Sequence, residues 1–372
     1  MADRLLVGTH KGLFRIKRVD EGRWEIERSW FLGDPVSTVL AVPGTGHIHA
    51  ALDLGHFGVK MQHSRDGGDN WNEAPVPAYP DKPDGLEDKD PFRGLEIPWS
   101  TQKIWSLAAG MPGELWCGVI PGGLFRSTDG GESWALMRAL WDDPRRRQWM
   151  GGGYDFAGIH SILVDPRDPA HVTVGVSVGG VWTTIDSGAH WELIGEGLRS
   201  AYMPPDQAAD PLTQDPHRIV HCPASPDRLW MQHHNGIFAS DDGGRHWWEL
   251  HDVLPSGFGF AVAAHPADPD TAWFVPAQKD EQRIPVDGRL VVTRTRNGGE
   301  RFEILATGLP QAHAYDLVYR HALAVDEQGE RLAFGSTTGS LWISEDQGDA
   351  WQAISHHLPP VLCVQFQQST SD

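Results

Sequence analysis

The residues best suited to chemistry in this chain are histidines that lie far apart: His10 in "GTHKG", His56 in "DLGHFG", His160 in "GIHSI", His217 in "PHRIV" and His234 in "QHHNG". Imidazoles carried on separate segments can surround a divalent transition metal such as Zn, Mn, Fe or Cu, with positions left open for water or substrate. No HExxH-type spacing concentrates them, so the fold has to bring them together. Tyr154 and Asp155, in "GGGYDFAGIH", stand just before His160 on a glycine-rich stretch and are candidate proton donors. Trp105, Arg283 and Tyr315 are candidate substrate contacts. Cys222 follows His221, but on an inner strand adjacent residues point to opposite sides, so a buried structural thiol is expected there.

The elements that must position these residues are announced by a repeat. The pattern Ser/Thr-x-Asp-x-Gly-x-x-Trp occurs as "SRDGGDNW" (64–71), "STDGGESW" (127–134), "TIDSGAHW" (184–191), "SDDGGRHW" (240–247) and "SEDQGDAW" (344–351). "TRNGGERF" (295–302) is a weaker copy and "RVDEGRW" (18–24) a shortened one. Each copy lies between two short β-patterned runs and reads as a hairpin turn. Its Asp accepts bonds from turn amides, its Gly supplies positive φ, and its Trp packs between sheets. Two more strand-like runs precede each hairpin. Four strands per unit, repeated seven times, predict an all-β, seven-bladed β-propeller over residues 1–372 as one domain. The C-terminal run "VLCVQFQ" (361–367) is expected to close the ring against the N-terminal blade, which removes free sheet edges.

These motifs resemble Asp boxes, and along its whole length the chain resembles BNR/Asp-box repeat propellers of the WD40/YVTN/BNR-like kind. Within that group the likeness is to bacterial single-propeller proteins described as sialidase-like or glycosyl hydrolases. The wider group includes sialidases, sortilin-type receptors, xyloglucan-degrading glycosidases and photosystem assembly factors. The resemblance implies the fold. For activity, sialidase chemistry implies a Tyr nucleophile and an Arg-Ile-Pro near the chain start, whereas here Arg283-Ile284-Pro285 falls late in the chain. Xyloglucanase chemistry implies a cleft between two propellers, and this chain encodes one. Asp66, Asp129, Asp186, Asp242 and Asp346, at the blade periphery, are expected to be structural.

In a propeller with strands lettered outward, the repeated turns share one face. The turns between second and third strands, and the connections between blades, share the other. His10, His56 and His234 fall on that second face, as do His160, His217, Trp105, Phe258 and Tyr315. So do three long connections, 72–104, 140–160 and 195–217, expected to form a lid, a pocket or an interface. The favoured metal ligands are His160, His217 and His234, from adjacent blades. The Arg145–Arg146–Arg147 run reads as a solvated patch.

Composition bounds the partners. A formal charge of −19 repels phosphate backbones and excludes nucleic acid as a natural partner. No apolar run reaches the ~18 residues of a membrane span, and "MADRLLVGTHKGLF" lacks a signal-peptide core, which together predict a cytoplasmic protein. Three dispersed cysteines suit a reducing compartment. Three functions fit the sequence. The first is a metal-assisted hydrolase or lyase acting on a small molecule. The second is a metal-independent, sialidase-like glycosidase using loop carboxylates such as Glu96, Asp155, Asp206 or Asp215 on a saccharide. The third is a non-catalytic scaffold holding a protein partner on the loop face.

Overall fold

The structure is a computed structural model and describes residues 2–367. Among these residues the chain forms seven four-stranded antiparallel sheets, six of them built from four successive strands. The exception is the first blade, where Arg4–Thr9, Gly12–Asp20 and Arg23–Trp30 are completed by the C-terminal Val361–Gln367. That last strand pairs antiparallel with Arg4–Thr9 and becomes the innermost of its blade, as the sequence predicts. The other inner strands are Val36–Ala41, Lys103–Ala109, Ile159–Asp165, Pro216–Cys222, Gly259–Ala264 and Leu323–Val325. Each packs against the next, and Leu323–Val325 meets Val361–Gln367, so the ring is closed.

The blades adhere through large apolar side chains between the sheets. Trp116, Trp182, Trp230, Trp273 and Trp342 are fully buried. Each removes on the order of 4–6 kcal/mol worth of apolar surface from water, before the entropy of ordering is subtracted. The repeated turns supply a second device. In "SDDGGRHW" the Ser240 hydroxyl donates to Asp242 at 2.9 Å and accepts the Gly244 N–H at 3.0 Å. Asp242 in turn accepts the His246 N–H at 2.9 Å. The same bonds recur around Asp66, Asp129, Asp186 and Asp346. Bonds from the turn residues hold Asp66, Asp129 and Asp186 down at about 2. These carboxylates are consumed by the turns and shape the blades.

One irregularity matters for function. Near the entry of six inner strands the ladder slips by one residue, leaving an extra residue without a partner. The extra residues are Leu362, Ser37, Trp105, His160 and His217, and in the sixth blade Phe260–Ala261 stand opposite Val275. A β-bulge re-aims the side chain it carries.

Candidate functional site

Two cavities occupy the axis. The larger, of about 690 Å³, opens on the face opposite the repeated turns, and none of the turn aspartates lines it. The bulge residues Ser37, Trp105, His217, Phe260 and Leu362 all line it. The smaller, of about 370 Å³, lies toward the other end of the inner strands, and His321 borders both. Between them the carbonyl oxygen of His160 accepts Arg218 Nη1 at 3.0 Å and His321 Nε2 at 2.7 Å.

The larger cavity has a polar centre. Asp215, His217 and His234 each present a ligand-type atom, and these atoms lie within 4.8 Å of one another. Asp215 ends the connection into the fifth blade and His217 is its bulge residue. The backbone builds the pairing with the "QHHNG" turn: Asp215 N–H donates to His233 Nε2 at 3.1 Å, and His234 N–H donates to the Asp215 carbonyl at 3.0 Å. Asp215 Oδ2 then lies 3.4 Å from His234 Nδ1 and 3.8 Å from His217 Nε2.

The tautomer of His217 is set from outside. Its Nδ1–H donates to the Gly259 carbonyl at 2.7 Å, which leaves the Nε2 lone pair toward Asp215. Its ring stacks on Phe260 at 4.4 Å, and burial pushes its pKa down to about 4. His234 goes the other way, raised by its hydrogen bond to Asp215. Burial opposes the Asp215 charge, but His234, His217 and Arg320 hold its carboxyl well below the usual range. Among the described residues its Oδ1 is buried without a hydrogen-bond partner.

The long connections wall this centre. Residues 72–104 contribute Phe92, 140–160 contribute Gly151–Tyr154, and 195–217 contribute Tyr202. Tyr202 packs edge-on against His234 at 5.1 Å and donates its hydroxyl to the Thr213 carbonyl. The insertion in the sixth blade brings Asp280, Glu281 and Arg283, with Arg283 tied to Asp280 at 2.5 Å. Trp105 packs against Tyr154 at 5.0 Å and His160 at 5.4 Å.

Of the residues singled out from sequence, His217, His234, Trp105, Tyr154, Arg283 and His10 line the cavity. His217 and His234 meet; His10 lies elsewhere on the wall and outside their cluster. His160 is fully buried, its Nδ1 on Ser161 Oγ, and forms part of the packing around Trp105. His56 packs at a tilt against exposed Phe57 outside the cavity. Asp155 pairs with Arg93, and Tyr315 is 61% exposed; neither lines the cavity. The arginine run is a solvated patch only at Arg147, which is exposed: Arg146 is buried on Asp88, and Arg145 lies over the Trp182 ring at 4.6 Å. Aromatic faces recruit both, which charge patterning alone does not show. Sequence reading placed Asp215 only among loop carboxylates. Its separation from His217 by one residue, which puts both side chains on one side of an extended chain, was the available signal. Lys103, Arg320 and Phe260 carry no such mark.

No protein-family profile matches the chain. It is similar to an oligoxyloglucan-reducing end-specific xyloglucanase from Emericella nidulans, 37% identical over 258 residues, 66% of this chain and 26% of the relative. The chain therefore spans about a quarter of that curated relative. Among solved structures it resembles an ancestral GH74 enzyme, with a TM-score of 0.58, 16% identity, and 85% of this chain against 38% of the other. It also resembles YCF48 from Cyanidioschyzon merolae, with a TM-score of 0.57, 15% identity and 95% and 91% coverage. A putative 6-phosphogluconolactonase from Bacteroides uniformis gives a TM-score of 0.59, 12% identity and 98% and 99% coverage. The chain is thus a seven-bladed β-propeller with a glycoside hydrolase among its relatives.

Proposed function

We propose that the chain is a single BNR/Asp-box propeller domain and a hydrolase or lyase for a small saccharide-class molecule, which it binds in the loop-face cavity. Asp215, His217 and His234 are its candidate centre for a divalent transition metal. The observation that carries this reading is their geometry: three ligand atoms within 4.8 Å, from one carboxylate and two imidazoles. Two further features fit. The Gly259 carbonyl fixes the His217 tautomer, and Asp215 Oδ1 is a buried acceptor with no donor among the described residues. A two-histidine, one-carboxylate set with open positions suits Zn, Fe or Mn. A metal held there supplies Lewis-acid polarisation of a carbonyl or an ionised water at neutral pH. The chain's own groups wall the substrate with Trp105 and Tyr202, and Tyr154 stands on the wall as a proton donor.

A second reading, a metal-independent glycoside hydrolase, is favoured by the 37% identity to the xyloglucanase. That chemistry requires two carboxyl groups across the scissile bond, one of them kept protonated. The carboxylates lining the cavity are Asp215, Asp280 and Glu281; Asp215 is held ionised and Asp280 is engaged by Arg283.

Metal content by mass spectrometry, on untagged protein purified without a metal column, tests both. The first reading predicts near one metal per chain, lost in Asp215→Asn, His217→Ala and His234→Ala. Absence of metal after incubation with zinc, manganese, iron and copper salts rejects it. Turnover of aryl glycosides or xyloglucan oligosaccharides in the presence of EDTA then establishes the second.

A further inference from the structure

Six arginines are buried in this propeller. Five have partners: Arg15 with Glu27, Arg146 with Asp88, Arg228 with Asp241, Arg294 with Glu303 and Arg331 with Asp3. The sixth, Arg320, is 7% exposed and lines the larger cavity. Among the described residues it makes no hydrogen bond or ion pair, and its Nε is a buried donor without an acceptor.

Its position is nevertheless well defined. The guanidinium carbon lies 4.9 Å from the Trp105 ring and 5.4 Å from the Phe260 ring. Aromatic faces hold a guanidinium plane, but its N–H donors lie along the edge and need oxygen acceptors in that plane. A buried cation lacking them is costly, and the group stays charged under ordinary conditions. Phe260 is also the ring on which His217 stacks, so Arg320 and the Asp215–His217–His234 cluster share a wall. Two more cations border the same space. Arg283 lies over Phe260 at 5.2 Å and Lys103 over Tyr154 at 5.2 Å. Both already hold carboxylates, Asp280 and Asp53. In a chain of net charge −19 the cavity lining is locally balanced, with these three cations against Asp215, Asp280 and Glu281.

We infer that Arg320 is an anion-binding residue: the cavity takes a small molecule bearing a carboxylate or phosphate, which docks in the plane of the Arg320 fork and turns the rest of the molecule toward Asp215, His217 and His234. The planar fork suits both anions because each offers two oxygens at matching spacing. This rests on the proposed function for the place where substrate sits, and not on the presence of a metal.

The test is thermal unfolding of wild type, Arg320→Met and Arg320→Lys. Each is titrated with sodium malonate, sodium phosphate or erythritol, at ionic strength held constant with sodium chloride. EDTA-dialysed and zinc-reloaded samples run in parallel. Wild type is expected to gain roughly 2–5 °C saturably with one or both anions and nothing with erythritol. Arg320→Met loses that response, and without malonate or phosphate melts no lower than wild type because an unpaired buried charge has been removed. Arg320→Lys keeps the charge without the fork and loses most of the response, which keeps the test open should the methionine variant fail to fold. Malonate against phosphate identifies the anion. No response in wild type, or an equal response in the variants, overturns the inference. A response that persists in EDTA supports it even where the metal reading fails.

Discussion

Arg146 Nη2 reaches Asp88 Oδ2 at 2.8 Å with both side chains almost wholly buried, and so fastens the connection after the second blade to the one after the third. Trp99 donates its indole N–H to the same carboxylate at 2.9 Å, and the Arg146 guanidinium lies 4.0 Å over the Trp141 ring. The long connections around the cavity mouth are therefore a packed wall at this point. Arg146→Ala leaves Asp88 charged and unpaired and is expected to cost about 3–5 kcal/mol. Urea unfolding reads the loss, and hydrogen exchange reads its location, with faster exchange across residues 84–99.

The repeated turns give a second expectation. Ser240 is fully buried and its hydroxyl both accepts from Gly244 and donates to Asp242. Ser240→Ala orphans a buried N–H and is expected to lower stability by about 1–2 kcal/mol. Ligand binding at the cavity, on the opposite face, is unchanged in a titration at a temperature well below unfolding.

Closure of the ring is pH-dependent through Glu345. Its carboxylate accepts Arg18 Nε at 2.7 Å, Arg18 Nη2 at 3.0 Å and Trp24 Nε1 at 2.7 Å, tying the seventh blade to the first. The Arg18 hydrogen bond is the main cause that lowers its pKa to about 2 from an ordinary 4.5. A carboxyl depressed by folding stabilises above its unfolded pKa, and the contribution fades as pH falls from about 4.5 toward about 2. The melting temperature of Glu345→Gln should lie below wild type at pH 7, with the gap narrowing steadily from pH 5 to pH 3.

His160 separates packing from ligation. It is fully buried beside Trp105 and outside the three-residue cluster. His160→Ala is expected to cost about 3 kcal/mol, the scale for truncating a large buried side chain, and to leave any bound metal in place. Loss of metal from this variant at a temperature where it is folded would instead make His160 a ligand.

The ring was legible because its signal is local and repeated. A serine or threonine, an aspartate, a glycine and a tryptophan at fixed spacing make a hairpin wherever they occur. The face that carries the cavity followed from strand order alone. What escaped was the direction of individual side chains. His56 and His234 sit on equivalent turns, yet one packs against an exposed Phe57 and the other meets Asp215. His160 and His217 are both bulge residues, yet only His217 borders the cavity. For His217 the outcome depends on neighbours 40 or more residues away, Gly259 and Phe260 behind its ring. Arg320 was illegible for a different reason: what distinguishes it is a missing partner, and a sequence cannot display that.

The bulges divide labour within the blade. A bulge residue lies outside the strand pairing, so the pairing does not dictate which side chain it carries. Residues 37, 105, 160, 217, 260 and 362 hold Ser, Trp, His, His, Phe and Leu, with no common type. The propeller thereby behaves as a mounting ring with interchangeable fittings. Exchanging a few of them rewrites what the mouth can hold, while the pairings of the 28 strands among the described residues stay as they are.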